Sequence, residues 1–83
     1  MPNGKNILVT GGAGFIGSNL IEKLLANNNT VTCLDNFSTG FRKNIERFSE
    51  NPRFSLIEGD IRDIDTCKKA VAGKDLIYHE AAL

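Results

Sequence analysis

Four short apolar runs, separated by stretches of a different period, restrict this chain's fold more than any other feature. NILVT at 6–10 is nearly continuous in apolar residues, as in a strand buried on both faces. From 15 to 26 the period changes, with Ile16, Leu20, Ile21, Leu24 and Leu25 recurring at helical spacing until NNN ends the run. TVTCLD at 30–35 reads as a second strand, rich in β-branched residues. Beyond the polar loop DNFSTG, Phe41, Ile45 and Phe48 are spaced for a second helix limited by Pro52. RFSLIEGD at 53–60 is the third strand. Asp63 is placed to cap a third helix reaching Ala72, with Gly73 as its stop. DLIYHEAA at 75–82 is the fourth strand. No internal repeat, low-complexity tract or linker interrupts the series.

Strands alternating with helices imply a parallel sheet joined by right-handed crossovers. The expected fold class is therefore α/β: βαβαβαβ, with strand order 3-2-1-4. The first two helices fall on one face and the third on the other, so the second face is incompletely covered. With 83 residues the chain forms one domain, and it buries only about 60–65% of its unfolded surface.

The loop between the first strand and helix reads VTGGAGFIGSN and carries Gly11, Gly14 and Gly17. Glycines permit a tight turn, a close approach to a pyrophosphate and close helix–strand packing, while the helix N-terminus attracts the anion. Phe15 and Ile16 are expected to present their backbone N–H groups while their side chains pack inward. A plain structural turn is the competing reading. A Walker A loop is excluded because Ser18 directly follows Gly17, with no Lys between them. Asp35 ends the second strand about 20 residues beyond the loop, where a carboxylate accepts from adenosine ribose hydroxyls and repels a 2′-phosphate. This favours NAD over NADP, although Arg42 and Lys43 nearby would soften the exclusion; a turn-capping role is the alternative for Asp35. Asp60 ends the third strand, so it shares the carboxyl rim and is placed either to accept from the adenine amino group or to hold a turn. Ala81 and Ala82 are small enough for a cofactor to approach the backbone, or are ordinary packing residues. His79 and Tyr78 read as core, the imidazole hydrogen-bonded.

Ten Lys+Arg balance ten Asp+Glu without long blocks, which argues against nucleic acid or a membrane surface as the main partner. Cys33 and Cys67 stand apart from any metal-ligand pattern and read as free thiols in a reducing cytoplasm, so no metal site is expected. No apolar run approaches the roughly 18 residues of a membrane helix.

With these residues placed, the chain resembles the N-terminal part of an extended short-chain dehydrogenase/reductase of the NAD-dependent epimerase/dehydratase family. The resemblance rests on VTGGAGFIGSNL, LDNFSTG, EGDIRD and HEAAL, in that order. DNFSTG is most similar to UDP-glucose and UDP-N-acetylglucosamine 4-epimerases, with nucleotide-sugar dehydratases and decarboxylases close behind. The resemblance implies a partial Rossmann fold over 1–83 that binds NAD. Gly11, Gly14, Phe15, Ile16 and Gly17 would surround the pyrophosphate. Asp35, Asn36, Ser38, Thr39 and Gly40 would hold the ribose region. Asp60 and Ile61 would flank the adenine, and Ala81, Ala82 and Leu83 would run toward the nicotinamide. The family's Tyr-x-x-x-Lys pair is missing, since Ala82 stands four positions after Tyr78, the one tyrosine. No catalytic residue is therefore expected here, the nucleotide sugar would bind only in a longer parent protein, and the isolated chain should be inactive. A stand-alone binding or assembly module, self-associating through an open sheet edge or uncovered face, is the alternative.

Overall fold

A computed structural model describes residues 1–38 and 40–80; Thr39, Ala81, Ala82 and Leu83, all assigned above to the cofactor, lie outside the described residues. Strand β1 (Asn6–Thr10) leads through the glycine loop into helix α1 (Phe15–Ala26), and β2 (Thr30–Asp35) follows. Two consecutive 3-10 turns (Arg42–Asn44 and Glu46–Phe48) precede β3 (Phe54–Glu58), α2 (Ile64–Val71) and β4 (Leu76–His79). The four strands form one parallel sheet of order β3-β2-β1-β4, the order expected.

Alternation along the buried strands sends side chains to two cores. Ile7, Val9, Val31 and Cys33 meet Ile21 and Leu24 of α1, with Ile45 and Phe48 of the 3-10 turns closing the same face. Leu8 and Leu34 point the other way, onto Ala70 of α2, with Ile57 and Ile61 at the margin. Asp63 caps α2 by accepting from the Asp65 and Thr66 N–H groups, and Gly73 follows with φ +71°.

The 41–48 segment differs from the expected helix. Its start is tethered to the glycine loop, because the Ala13 carbonyl accepts from both Phe41 N–H (3.1 Å) and Asn44 Nδ2 (2.7 Å). So short a segment gains little from helical propagation, and it winds into tight i→i+3 turns that bury Ile45 and Phe48 but leave Phe41 62% exposed.

The inward packing expected for Phe15 and Ile16 is also corrected: they are 78% and 71% exposed. The face of α1 turned to the sheet runs through Gly17, Ser18, Ile21 and Leu24, and neither residue falls on it. His79 keeps its expected hydrogen bond, with Nδ1 2.7 Å from Thr10 Oγ1, but sits exposed on the rim rather than in the core. Tyr78 is half-buried against the α1-side core. Both cysteines are free thiols.

Candidate functional site

The site forms where the C-terminal ends of β1, β2 and β3 meet the first turn of α1. Thr10 ends β1 clamped to the end of β4, its hydroxyl on His79 and its carbonyl accepting from Glu80 N–H at 2.9 Å. Gly11 then turns the chain with φ +72°, a conformation that penalises any side chain, and donates its N–H to the Leu34 carbonyl.

Each remaining glycine of the loop answers a different constraint. A Cβ on Gly12 would lie 2.6 Å from both Cys33 Sγ and Ile21 Cδ1, so the core beneath the loop requires that glycine. A Cβ on Gly17 would lie 2.5 Å from the Gly11 carbonyl oxygen, so the helix presses directly on the loop backbone. Gly14 is different. Its φ of −76° suits any residue, and a Cβ there would meet only the Gly11 oxygen, at an ordinary 3.5 Å. Among the described residues, neither backbone nor packing demands glycine at 14.

Gly14 is also the N-cap of α1 and supplies no side-chain acceptor. The N–H groups of Phe15, Ile16 and Gly17 are left without an acceptor among the described residues. These donors, with the positive end of a 12-residue helix, form an electropositive mouth beside a position kept free of a side chain. The exposed Phe15 and Ile16 side chains leave that mouth flanked by apolar surface.

Asp35 anchors the other side. It is buried at the end of β2, and both its oxygens accept from backbone: Oδ2 from Ala13 N–H (2.8 Å) and Oδ1 from Phe37 N–H (2.7 Å). One carboxylate thus fixes the glycine loop and the turn after β2 together, with lone pairs remaining for a ligand hydroxyl. Asn36 Oδ1 accepts from Ser38 N–H, tightening the same turn. Gly40 is packed so closely on Ala13 that a Cβ would fall 2.8 Å from it. In this fold Gly40 therefore locks the loop. Burial pushes the Cys33 thiol up to about 12, reinforced by the Asp35 charge, so it stays a neutral packing group beneath Gly12.

Asp60 reaches the rim because Gly59 N–H donates to the Asp35 carbonyl at 3.1 Å. Its carboxylate takes Arg62 in a paired contact, Nη2 at 2.7 Å and Nε at 3.1 Å, which holds it down to about 2. Ile61 turns its side chain to the α2-side core, and its carbonyl lies 2.9 Å from the Cys67 thiol; its link to the rim is through Asp60. Gly11, Gly14, Phe15, Ile16, Gly17, Asp35, Asn36, Ser38, Gly40 and Asp60 are thus gathered along one edge of the sheet.

Sequence reasoning missed Ala13, whose peptide group is clamped on both sides, and Asn44, which helps clamp it. An alanine with an ordinary side chain carries no signal for a role played by its backbone. Among the described residues no cluster of His, Cys, Asp or Glu could hold a metal ion, and no helix is long and apolar enough to cross a membrane.

A family model described as the NAD dependent epimerase/dehydratase family matches residues 7–83. UDP-glucuronic acid decarboxylase 2 of Arabidopsis thaliana is 40% identical over 78 residues, covering 94% of this chain and 16% of the relative. Among solved structures, a UDP-N-acetylglucosamine 4-epimerase from Methanobrevibacter ruminantium, in complex with UDP-N-acetylmuramic acid, superposes with TM-score 0.86 at 38% identity. That match covers 99% of this chain and 26% of the other. A dTDP-glucose 4,6-dehydratase from Bacillus anthracis in complex with NAD also gives 0.86, at 30% identity, covering 95% and 27%. The chain thus spans about a quarter or less of the length of these relatives.

Proposed function

The chain belongs to the NAD dependent epimerase/dehydratase family, and from that premise we propose that it forms the adenosine and pyrophosphate half of the NAD site of a nucleotide-sugar 4-epimerase. The observation that carries this reading is Gly14. Among the described residues no packing contact requires its side chain to be missing, and it lies beside the N–H groups at the start of α1 that have no acceptor there. A structural N-cap would be served at least as well by Ser, Thr, Asp or Asn, which add an acceptor; a pyrophosphate resting on the backbone needs the side chain absent.

The residues present fit NAD. Phe15, Ile16 and Gly17 would donate their N–H groups to the pyrophosphate, and Gly11 and Gly17 keep loop and helix close enough to shape its seat. Asp35 would accept from the adenosine ribose hydroxyls, and Asn36, Ser38, Thr39 and Gly40 would hold the ribose region with it. Asp60 and Ile61 would border the adenine, and Ala81, Ala82 and Leu83 would continue toward the nicotinamide. When bound, NAD supplies a carrier for the hydride removed from and returned to sugar C4. This chain's part is to bind and orient; the 83 residues contain no Tyr-x-x-x-Lys pair, so the isolated chain should not epimerise.

Calorimetric titration with NAD tests the reading. Gly14→Ala should weaken binding by about tenfold or more, a cost of about 1.4 kcal/mol or more, while losing only about 0.5–1 kcal/mol of stability, the penalty for Ala in place of Gly at an N-cap. Unchanged NAD affinity in that variant would count against the cradle. Asp35→Ala should weaken NAD too, but it also removes the acceptor of the Ala13 and Phe37 N–H groups, so it is the less selective probe.

The plant decarboxylase relative favours a second reading, in which the same NAD half-site serves a nucleotide-sugar decarboxylase. Product analysis with UDP-glucose and UDP-glucuronate, using a longer protein that carries this segment, separates the two. Self-association belongs to the proposal as well: among the described residues β4 pairs only with β1, and Leu76 and Ile77 are exposed beside its outer edge. Light scattering should show a species larger than a monomer, and a clean monomer overturns that part.

A further inference from the structure

The β2–β3 register places Glu58 directly beside Asp35, so the two side chains leave the sheet on the same side. Asp35 is occupied with backbone, but Glu58 is not. Its Oε1 takes Arg42 Nη2 at 2.5 Å. The same guanidinium lies over the Phe37 ring, 4.3 Å from its centroid. Phe37 in turn is held by its own N–H on Asp35 Oδ1, at φ +59°. Arg42 is therefore tied twice to the end of β2, once through the strand register and once through the turn that Asp35 organises. The neighbouring Arg62 is likewise taken by a carboxylate, that of Asp60.

Building on the NAD reading above, we propose that Glu58 is a specificity-determining residue: it withholds Arg42 from the adenosine ribose, so that the site selects the dinucleotide lacking a 2′-phosphate. A phosphate monoester carries close to two negative charges and is best met by a guanidinium fork. Arg42 is such a fork on the segment next to the ribose-binding turn, and Glu58 neutralises it. Asp35 repels the phosphate; Glu58 adds to this by removing the group that would attract it. The Arg42–Glu58 pair is more than half exposed on both sides, so the latch is a bias and not a lock.

Calorimetric affinities for NAD and NADP, measured on the purified chain, Glu58→Gln, Arg42→Met and the double variant, test this. Glu58→Gln should tighten NADP about three- to tenfold while NAD stays within about twofold. The gain should vanish in the double variant, and Arg42→Met alone should move neither affinity by more than about twofold. A Glu58→Gln chain that binds NAD with an unaltered NADP/NAD ratio overturns the inference alone. So does a gain that survives Arg42→Met, since it then comes from the lost carboxylate charge without the guanidinium. Binding of neither dinucleotide by the parent chain overturns the NAD reading itself, and the inference with it.

Discussion

The two faces of the sheet are built unequally. On the α1 side, Ile7, Val9, Ala13, Ile21, Leu24, Val31, Cys33, Ile45 and Phe48 form one continuous core, and the glycine loop rests on it through Gly12 and Ala13. On the α2 side, among the described residues, the buried hydrophobic side chains are only Leu8, Leu34 and Ala70, while Ile64, Val71 and Ile77 are exposed. The glycine loop is therefore mounted on the better-packed face. A backbone cradle has to be rigid, because its N–H groups point correctly only while the loop is held in place. A loop seated on close-packed side chains gains that rigidity from packing that also stabilises the fold.

Substitutions on the two sides should show this asymmetry. The largest effect is expected from Leu24→Ala, whose side chain is fully buried in the α1-side core: a loss of about 2–5 kcal/mol in urea unfolding. Gly17→Ala forces a Cβ against backbone and should cost about 1–3 kcal/mol and NAD binding together, whereas Gly14→Ala should weaken NAD at the smaller cost of an N-cap substitution. Asp63→Ala removes the α2 cap and should cost about 1 kcal/mol. Ile77→Ala, on the thinner side and 52% exposed, should cost less than about 1 kcal/mol. If Ile77→Ala proves as damaging as Leu24→Ala, the contrast between the faces fails and β4 is covered in solution by another copy.

The smallest effect is local. Arg62 lowers Asp60 from the ordinary carboxylate value of 3.8 to about 2 in the folded chain. A lowered folded value means that the pair's contribution is present above the unfolded pKa and is lost as pH falls through about 2. An NMR titration of the Asp60 carboxyl should show a midpoint near 2, and Arg62→Ala should return it toward 3.8, with little change in global stability.

Where a signal is local, the sequence carried it. Asp63 and Gly73 mark the ends of α2 because a cap and a left-handed stop depend on neighbours a few residues away. The parallel sheet followed from the alternation of strands and helices, and its order is the one expected when the first three strands run outward and the fourth returns beside the first. The 41–48 segment was misleading because its spacing is helical, whereas its conformation is set by hydrogen bonds to Ala13, about thirty residues earlier in the chain. Phe15 and Ile16 were misleading because apolarity alone does not tell which side of a helix faces the sheet. Asn29, read only as part of a helix-ending NNN, is fully buried, with its amide spanning Pro2, Lys5 and Leu24.

By itself, then, the sequence determined the succession of strands and helices, the glycine loop at the first strand–helix junction and the acidic ends of β2 and β3. These depend on periodicity, on turn chemistry and on a parallel sheet bringing its carboxyl ends to one rim. Only the tertiary structure decided which glycines are held by close packing and which, Gly14, is not. It also decided that Asp35 holds two backbone segments at once and that Arg42 is taken by Glu58. Each of those outcomes is a contact between residues distant in the chain, and no local pattern encodes the distance at which such groups meet.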